Sequence, residues 1–68
     1  MDREKLLEEM DKKGISVGEM GKRLGMSRSA FYRKTQGISE FTVSEIQKII
    51  VILGLESPID IFFSKKVS

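Results

Sequence analysis

The 68-residue chain has no cysteine, no histidine, no tryptophan and a single proline. Without cysteine there are no disulfides and no thiolate metal sites. Without histidine the commonest general base and the commonest metal ligand are both missing. The carboxylates that remain sit in charge-mixed surface patterns rather than as an isolated pair. An enzyme is therefore not expected, nor a metal, a cofactor or a small-molecule ligand. No apolar run approaches the roughly 20 residues that span a bilayer. The start, MDREKLLEEMDKK, is too acidic and too polar for a signal peptide. A reducing, cytoplasmic setting away from membranes is the expectation. At this length one domain is expected, near the lower size limit for a core without staples; residues 1–63 read as that domain and 64–68 as a polar C-terminal tail.

What is present is organised around Ser16 to Gln36, SVGEMGKRLGMSRSAFYRKTQ. At a period of 3.6, Val17, Met20 and Leu24 make one apolar stripe, and Met26, Ala30 and Phe31 part of a second. Gly25 sits where a left-handed residue would stop one helix and let another begin. Ser27 supplies a capping oxygen for that next helix. This is the sequence form of a helix-turn-helix, whose second helix, Arg28 to about Thr35, can lie in the major groove of DNA.

Around that stretch the chain predicts three more short helices and no strand. Asp2 to about Lys12 carries an amphipathic stripe of Leu6, Leu7 and Met10, with Glu8–Lys12 and Glu9–Lys13 as i, i+4 pairs. Gly14 ends it. Ser16 and Glu19 predict a capping box, and Ile15 with Met20 a hydrophobic staple. Gly18 and Gly21 lie inside the second helix, each costing roughly 1 kcal/mol relative to alanine; a glycine kept there suggests that another backbone comes close. Ile38 and Phe41 read as two apolar anchors of an ordered loop. Thr42 and Glu45 form a second capping box before Val43, Ile46, Ile49, Ile50 and Leu53, and Val51 and Ile52 make this fourth helix apolar on nearly all sides. Gly54 stops it. Ser57-Pro58 opens a fifth helix with proline in its first turn, leading to Ile59, Ile61, Phe62 and Phe63.

Net charge is only +2. Its distribution says more. Between Met20 and Ser39 lie Lys22, Arg23, Arg28, Arg33 and Lys34 and no acidic residue, whereas the first thirteen residues hold five acids against four bases. One basic face is the electrostatic footprint that DNA binding requires. Arg28 and Arg33 suit two-pronged contacts to guanine, Ser29 is a weak specifier, and Tyr32 suits a thymine methyl or a phosphate. Lys22, Lys34, Gln36, Ser39 and Thr42 flank them as phosphate candidates, with Ser39 and Thr42 equally readable as turn or cap residues. Lys65 and Lys66 in the tail read as plain solvated charges. Two adjacent phenylalanines cannot both face inward from one helix, so one of Phe62 and Phe63 is a candidate dimer contact. A homodimer would fit operators with two half-sites one turn apart.

Ile15 to Leu55 resembles the Cro/CI-type (XRE) helix-turn-helix regulators, particularly small repressor-like proteins of phages and prophages. The resemblance rests on Met20-Gly21, Leu24-Gly25-Met26-Ser27, Phe31, Gly37, Thr42-x-x-Glu45-Ile46 and Leu53-Gly54-Leu55, with Asp60-Ile61-Phe62-Phe63 at the end. It implies an all-α fold, a compact five-helix bundle of the lambda-repressor-like kind. It also implies base recognition by Arg28, Ser29 and Arg33 with Tyr32 beside them, and sequence-specific control of transcription on double-stranded DNA. Val17 stands where the family often has a polar phosphate-touching residue, Gly21 where it has alanine, and Lys34-Thr35 where it has an apolar residue and a glutamate. With no ligand domain expected, control would come from concentration and affinity. The alternative from the residues is a protein-interaction module of the same fold, an antitoxin or accessory factor, using the Ile/Phe-rich C-terminal end.

Overall fold

In a computed structural model, which describes residues 1–63, five helices follow one another: α1 Arg3–Lys12, α2 Val17–Arg23, α3 Arg28–Thr35, α4 Val43–Leu53 and α5 Pro58–Phe62. No strand occurs among the described residues. The polar tail read at 64–68, with Lys65 and Lys66, lies outside them. No helix of the described residues is long and apolar enough to cross a membrane.

The helix starts follow from their caps. Ser16 Oγ accepts from the Glu19 amide, Ser27 Oγ from the Ala30 amide and Thr42 Oγ1 from the Glu45 amide, each at 3.1 Å. Only the Thr42 cap is a full box, because the Glu45 carboxylate returns to the Thr42 amide at 2.9 Å. The box expected at Ser16 is half made. Glu19 turns instead to Arg23 Nε, 3.4 Å away and one turn on, where an exposed carboxylate finds a charged donor in place of a neutral amide. The first helix shows a similar correction. Glu8 pairs with Lys12 as expected, but Glu9 also goes to Lys12, at 3.5 Å, and not to Lys13. Lys13, the C-cap residue, joins no ion pair among the described residues.

The core is Leu6 and Met10 of α1, Met20 of α2 with Leu24, Phe31 of α3, Ile49 and Leu53 of α4 and Ile61 of α5. The stripes read from the sequence supply all of them but Ile61, one of the apolar residues read in the fifth helix. Phe31, Phe41 and Phe62 form an aromatic chain through the core, with ring centres 5.7 and 6.1 Å apart. Ile38, by contrast, is 73% exposed. It follows Gly37, where the chain reverses after α3 and Ile38 N–H closes back onto Arg33 O at 3.1 Å, and so it is no anchor; Phe41 alone fills that role. On α4, Val43 and Val51 remain exposed while Ile49 and Leu53 are buried.

The α2–α3 joint is the tightest place in the fold. Gly25, at φ +75°, lets Met26 N–H reach Gly21 O at 2.9 Å and Gly25 N–H reach Lys22 O at 3.1 Å, the paired bonds of a Schellman stop. A Cβ on Gly21 would lie 3.1 Å from Ser27 O and 3.3 Å from Met26 O. The close backbone expected there is the turn itself. Gly18 differs. A Cβ there would meet only the Arg28 Cδ, at an ordinary 3.8 Å. Gly18→Ala should therefore stabilise the domain by ~0.5–1 kcal/mol, whereas Gly21→Val should cost ~1–3 kcal/mol through overpacking against backbone. Urea unfolding of the two variants checks this, and a Gly21→Val midpoint at or above wild type would contradict it.

Candidate nucleic-acid interface

The four residues read as base contacts come together. Arg28, Ser29, Tyr32 and Arg33 line one shallow hollow of about 480 Å³ along α3. All four are exposed, Tyr32 by 49%. They share a face because residues three and four apart on a helix are neighbours, and the opposite face is held inward by buried Phe31 and Thr35. Thr35 is a buried polar residue that the sequence did not single out. Its hydroxyl donates to Tyr32 O at 2.6 Å, so it enters the interior without an unpaired group.

The ion pairs sort the basic residues. Arg23 is bound to Glu19 and Lys34 to Glu45. Arg28, Arg33 and Lys22 take part in no ion pair among the described residues and are exposed. Three cations on α2 and α3 therefore face water with their charge uncompensated by a contact. Arg28 also rests its stem over Gly18 of α2.

The phosphate candidates divide. Lys22 lies in the last turn of α2, exposed. Gln36 is the C-cap of α3, and Gln36 and Ser39 are exposed on a second hollow of about 540 Å³ that they share with Lys34 and with Arg3 of α1. Thr42 is exposed, but its oxygen is the α4 cap. Neither Lys22 nor Thr42 lines either hollow. Lys34 is turned away from solvent. Its Nζ sits 2.6 Å from Glu45 Oε1, 5.9 Å from the centre of the Phe41 ring, and its side chain is 17% exposed. That pair ties the end of α3 to the start of α4. It replaces the free phosphate-seeking cation that the spacing on α3 alone suggests.

Glu45 titrates under opposing influences. Burial pushes it up, but the hydrogen bond from Lys34, the Thr42 amide and the Lys34 charge together outweigh burial and hold it below its ordinary value. The unfolded chain therefore takes up this proton first as acid is added. The stabilisation is complete above the unfolded value and disappears as pH falls through the folded one. Glu45→Gln should cost ~1 kcal/mol at neutral pH, because the amide oxygen keeps the shape but not the charge. The difference from wild type should shrink in acid. Urea midpoints from neutral pH down through the carboxylate range test this, and two parallel curves would contradict it.

At the C-terminal end the two candidate dimer residues part. Phe62 is half-buried, edge-on to Phe41 and packed on the core, while Phe63 is 63% exposed. Ile59, 67% exposed, is on the same short helix. No cluster of three potential metal-ligating side chains occurs among the described residues.

Compared with known proteins, the chain is similar to part of a protein of Aeropyrum pernix named "Putative HTH-type transcriptional regulatory protein", with 37% identity over 65 residues, covering 93% of this chain and 20% of that protein. The chain spans about a fifth of the length of this relative. No family model matches, and no solved structure gives a significant match.

Proposed function

We propose that the chain is a sequence-specific DNA-binding unit of transcriptional control, repressor-like and of the Cro/CI (XRE) type found in phages and prophages. The observation that carries this reading is the face of α3. Arg28, Ser29, Tyr32 and Arg33 line one exposed hollow, the two arginines join no ion pair among the described residues, and α3 has no acidic residue. A helix of that composition suits the major groove, where a guanidinium meets guanine O6 and N7 at once. Similarity to a stretch of the regulator named above supports the same direction.

In this reading Arg28 and Arg33 read bases, Ser29 and Tyr32 adjust the fit, and Lys22, Gln36, Ser39 and Thr42 meet phosphates. Lys34 contributes by fixing α3 against α4. Residues 1–63 form the DNA-binding domain. Phe63, with Ile59, is the contact for a second copy, so two recognition helices would meet two half-sites of one operator. The exposed Ile59 and Phe63 would also serve the competing reading, a module that binds another protein.

Selection from a pool of random duplexes at two salt concentrations tests the proposal. Enrichment of a two-fold symmetric site, with affinity falling steeply as salt rises, is the expected result. Equal retention of all sequences, or no binding even at low salt, would sink base readout and leave the apolar C-terminal end as the functional surface.

A further inference from the structure

Arg3 has no role in the reading so far. It opens α1, far from α3 in sequence, yet its guanidinium carbon lies 5.9 Å from the centre of the Tyr32 ring. Its Nε is buried without a hydrogen-bond partner, and Arg3 joins no ion pair among the described residues. A half-buried guanidinium with an unsatisfied donor is costly to keep, and the neighbouring cations are not left so: Lys5 faces Asp60 and Lys34 faces Glu45. Arg3 also lines the hollow of about 540 Å³ that contains Gln36, Gly37 and Ser39 after α3. One cation therefore adjoins both the recognition face, through Tyr32, and a recess beside it whose wall is part polar, from Gln36 and Ser39, and part apolar, from Phe41 and Phe62.

We propose that Arg3 is a phosphate clamp of the same DNA interface, and this rests on the DNA-binding reading above. With α3 in the major groove, one backbone phosphate enters the recess between the start of α1 and the α3–α4 connection. Arg3 holds it, and Gln36 and Ser39 donate beside it. The chemistry favours phosphate over other acceptors, since a guanidinium matches two oxygens of a tetrahedral anion with parallel N–H groups. The Tyr32 ring against the guanidinium restricts its motion before the ligand arrives, so less freedom is lost on binding. Among the described residues Glu40 is the one carboxylate lining the recess; it is exposed, where water screens it, while Arg3 is partly withdrawn from water. The clamp would also brace Tyr32, coupling a sequence-blind contact to a side chain of the reading face.

The test compares wild type, Arg3→Gln and Arg3→Lys by titrating a selected duplex and a scrambled duplex over a range of salt. Arg3→Gln should weaken both duplexes by the same factor and lower the slope of log affinity against log salt by about 0.9, the share of one phosphate. Arg3→Lys should keep the wild-type slope because it keeps the charge. An unchanged slope in Arg3→Gln overturns the clamp while leaving the DNA reading in place. Equal losses in both variants with one common slope also overturn it, as the signature of a structural role. Wild type that binds neither duplex at low salt overturns both proposals together.

Discussion

Phe31→Ala should leave the chain largely unfolded at 25 °C. Phe31 has no exposed surface, its ring packs at a tilt against Phe41 with centres 5.7 Å apart, and its Cβ lies 3.4 Å from where a Gly21 Cβ would be. It is thus the contact through which α3, the turn and the loop after α3 share one interior. Truncating a buried phenylalanine typically costs ~3–5 kcal/mol, transfer and cavity together. A single core in a domain of this length supplies only about 3–5 kcal/mol in total. The mutation consumes that margin. Far-UV circular dichroism and urea titration provide the readout; a cooperative transition with a urea midpoint near that of wild type would show that α3 is held by something other than this ring.

The second large effect concerns recognition. Arg28→Ala and Arg33→Ala should each lose ~1–3 kcal/mol of binding to the preferred site, which is about 5-fold to 150-fold in affinity. Both residues are exposed and join no ion pair among the described residues, so the fold should be untouched to within about 0.5 kcal/mol. Binding to scrambled duplexes should fall far less than binding to the preferred one, and each variant should relax one base position per half-site. Competition titrations with single-base variants of the site resolve this. A uniform loss across all duplexes would reassign the two arginines to phosphate contacts.

Much of this fold could be read along the chain because its signals are local. Ser16, Ser27 and Thr42 each bond an amide three residues ahead, and the turn at Gly25 is decided by one residue's backbone. The buried stripes need only a helical period, and Leu6, Met10, Met20, Leu24, Phe31, Ile49 and Leu53 obey it. Legibility fails where partners compete or come from afar. Glu19 has both an amide and Arg23 in reach, and Glu9 has both Lys12 and Lys13; sequence spacing does not rank them. Lys34 and Glu45 are eleven residues apart on different helices, so α3 alone makes Lys34 look free. Arg3 meets Tyr32 only after α1 folds back beside α3. Phe62 and Phe63 were separable in principle, but which one turns inward depends on where Phe41 sits.

The crowded backbone around Gly21 has a bearing on how freely the exposed face of α3 can change. The angle between α2 and α3 is set by main-chain atoms, with Ser27 O and Met26 O pressed against a residue that has no side chain. None of Arg28, Ser29, Tyr32 and Arg33 is among the atoms nearest Gly21, although the Arg28 stem rests over Gly18 of α2. Their identities are free to vary while the helix that presents them keeps its pose, much as type can be reset in a fixed frame. On the DNA-binding reading proposed above, exchanging those four side chains for another set should redirect the protein to a new sequence at little loss of stability.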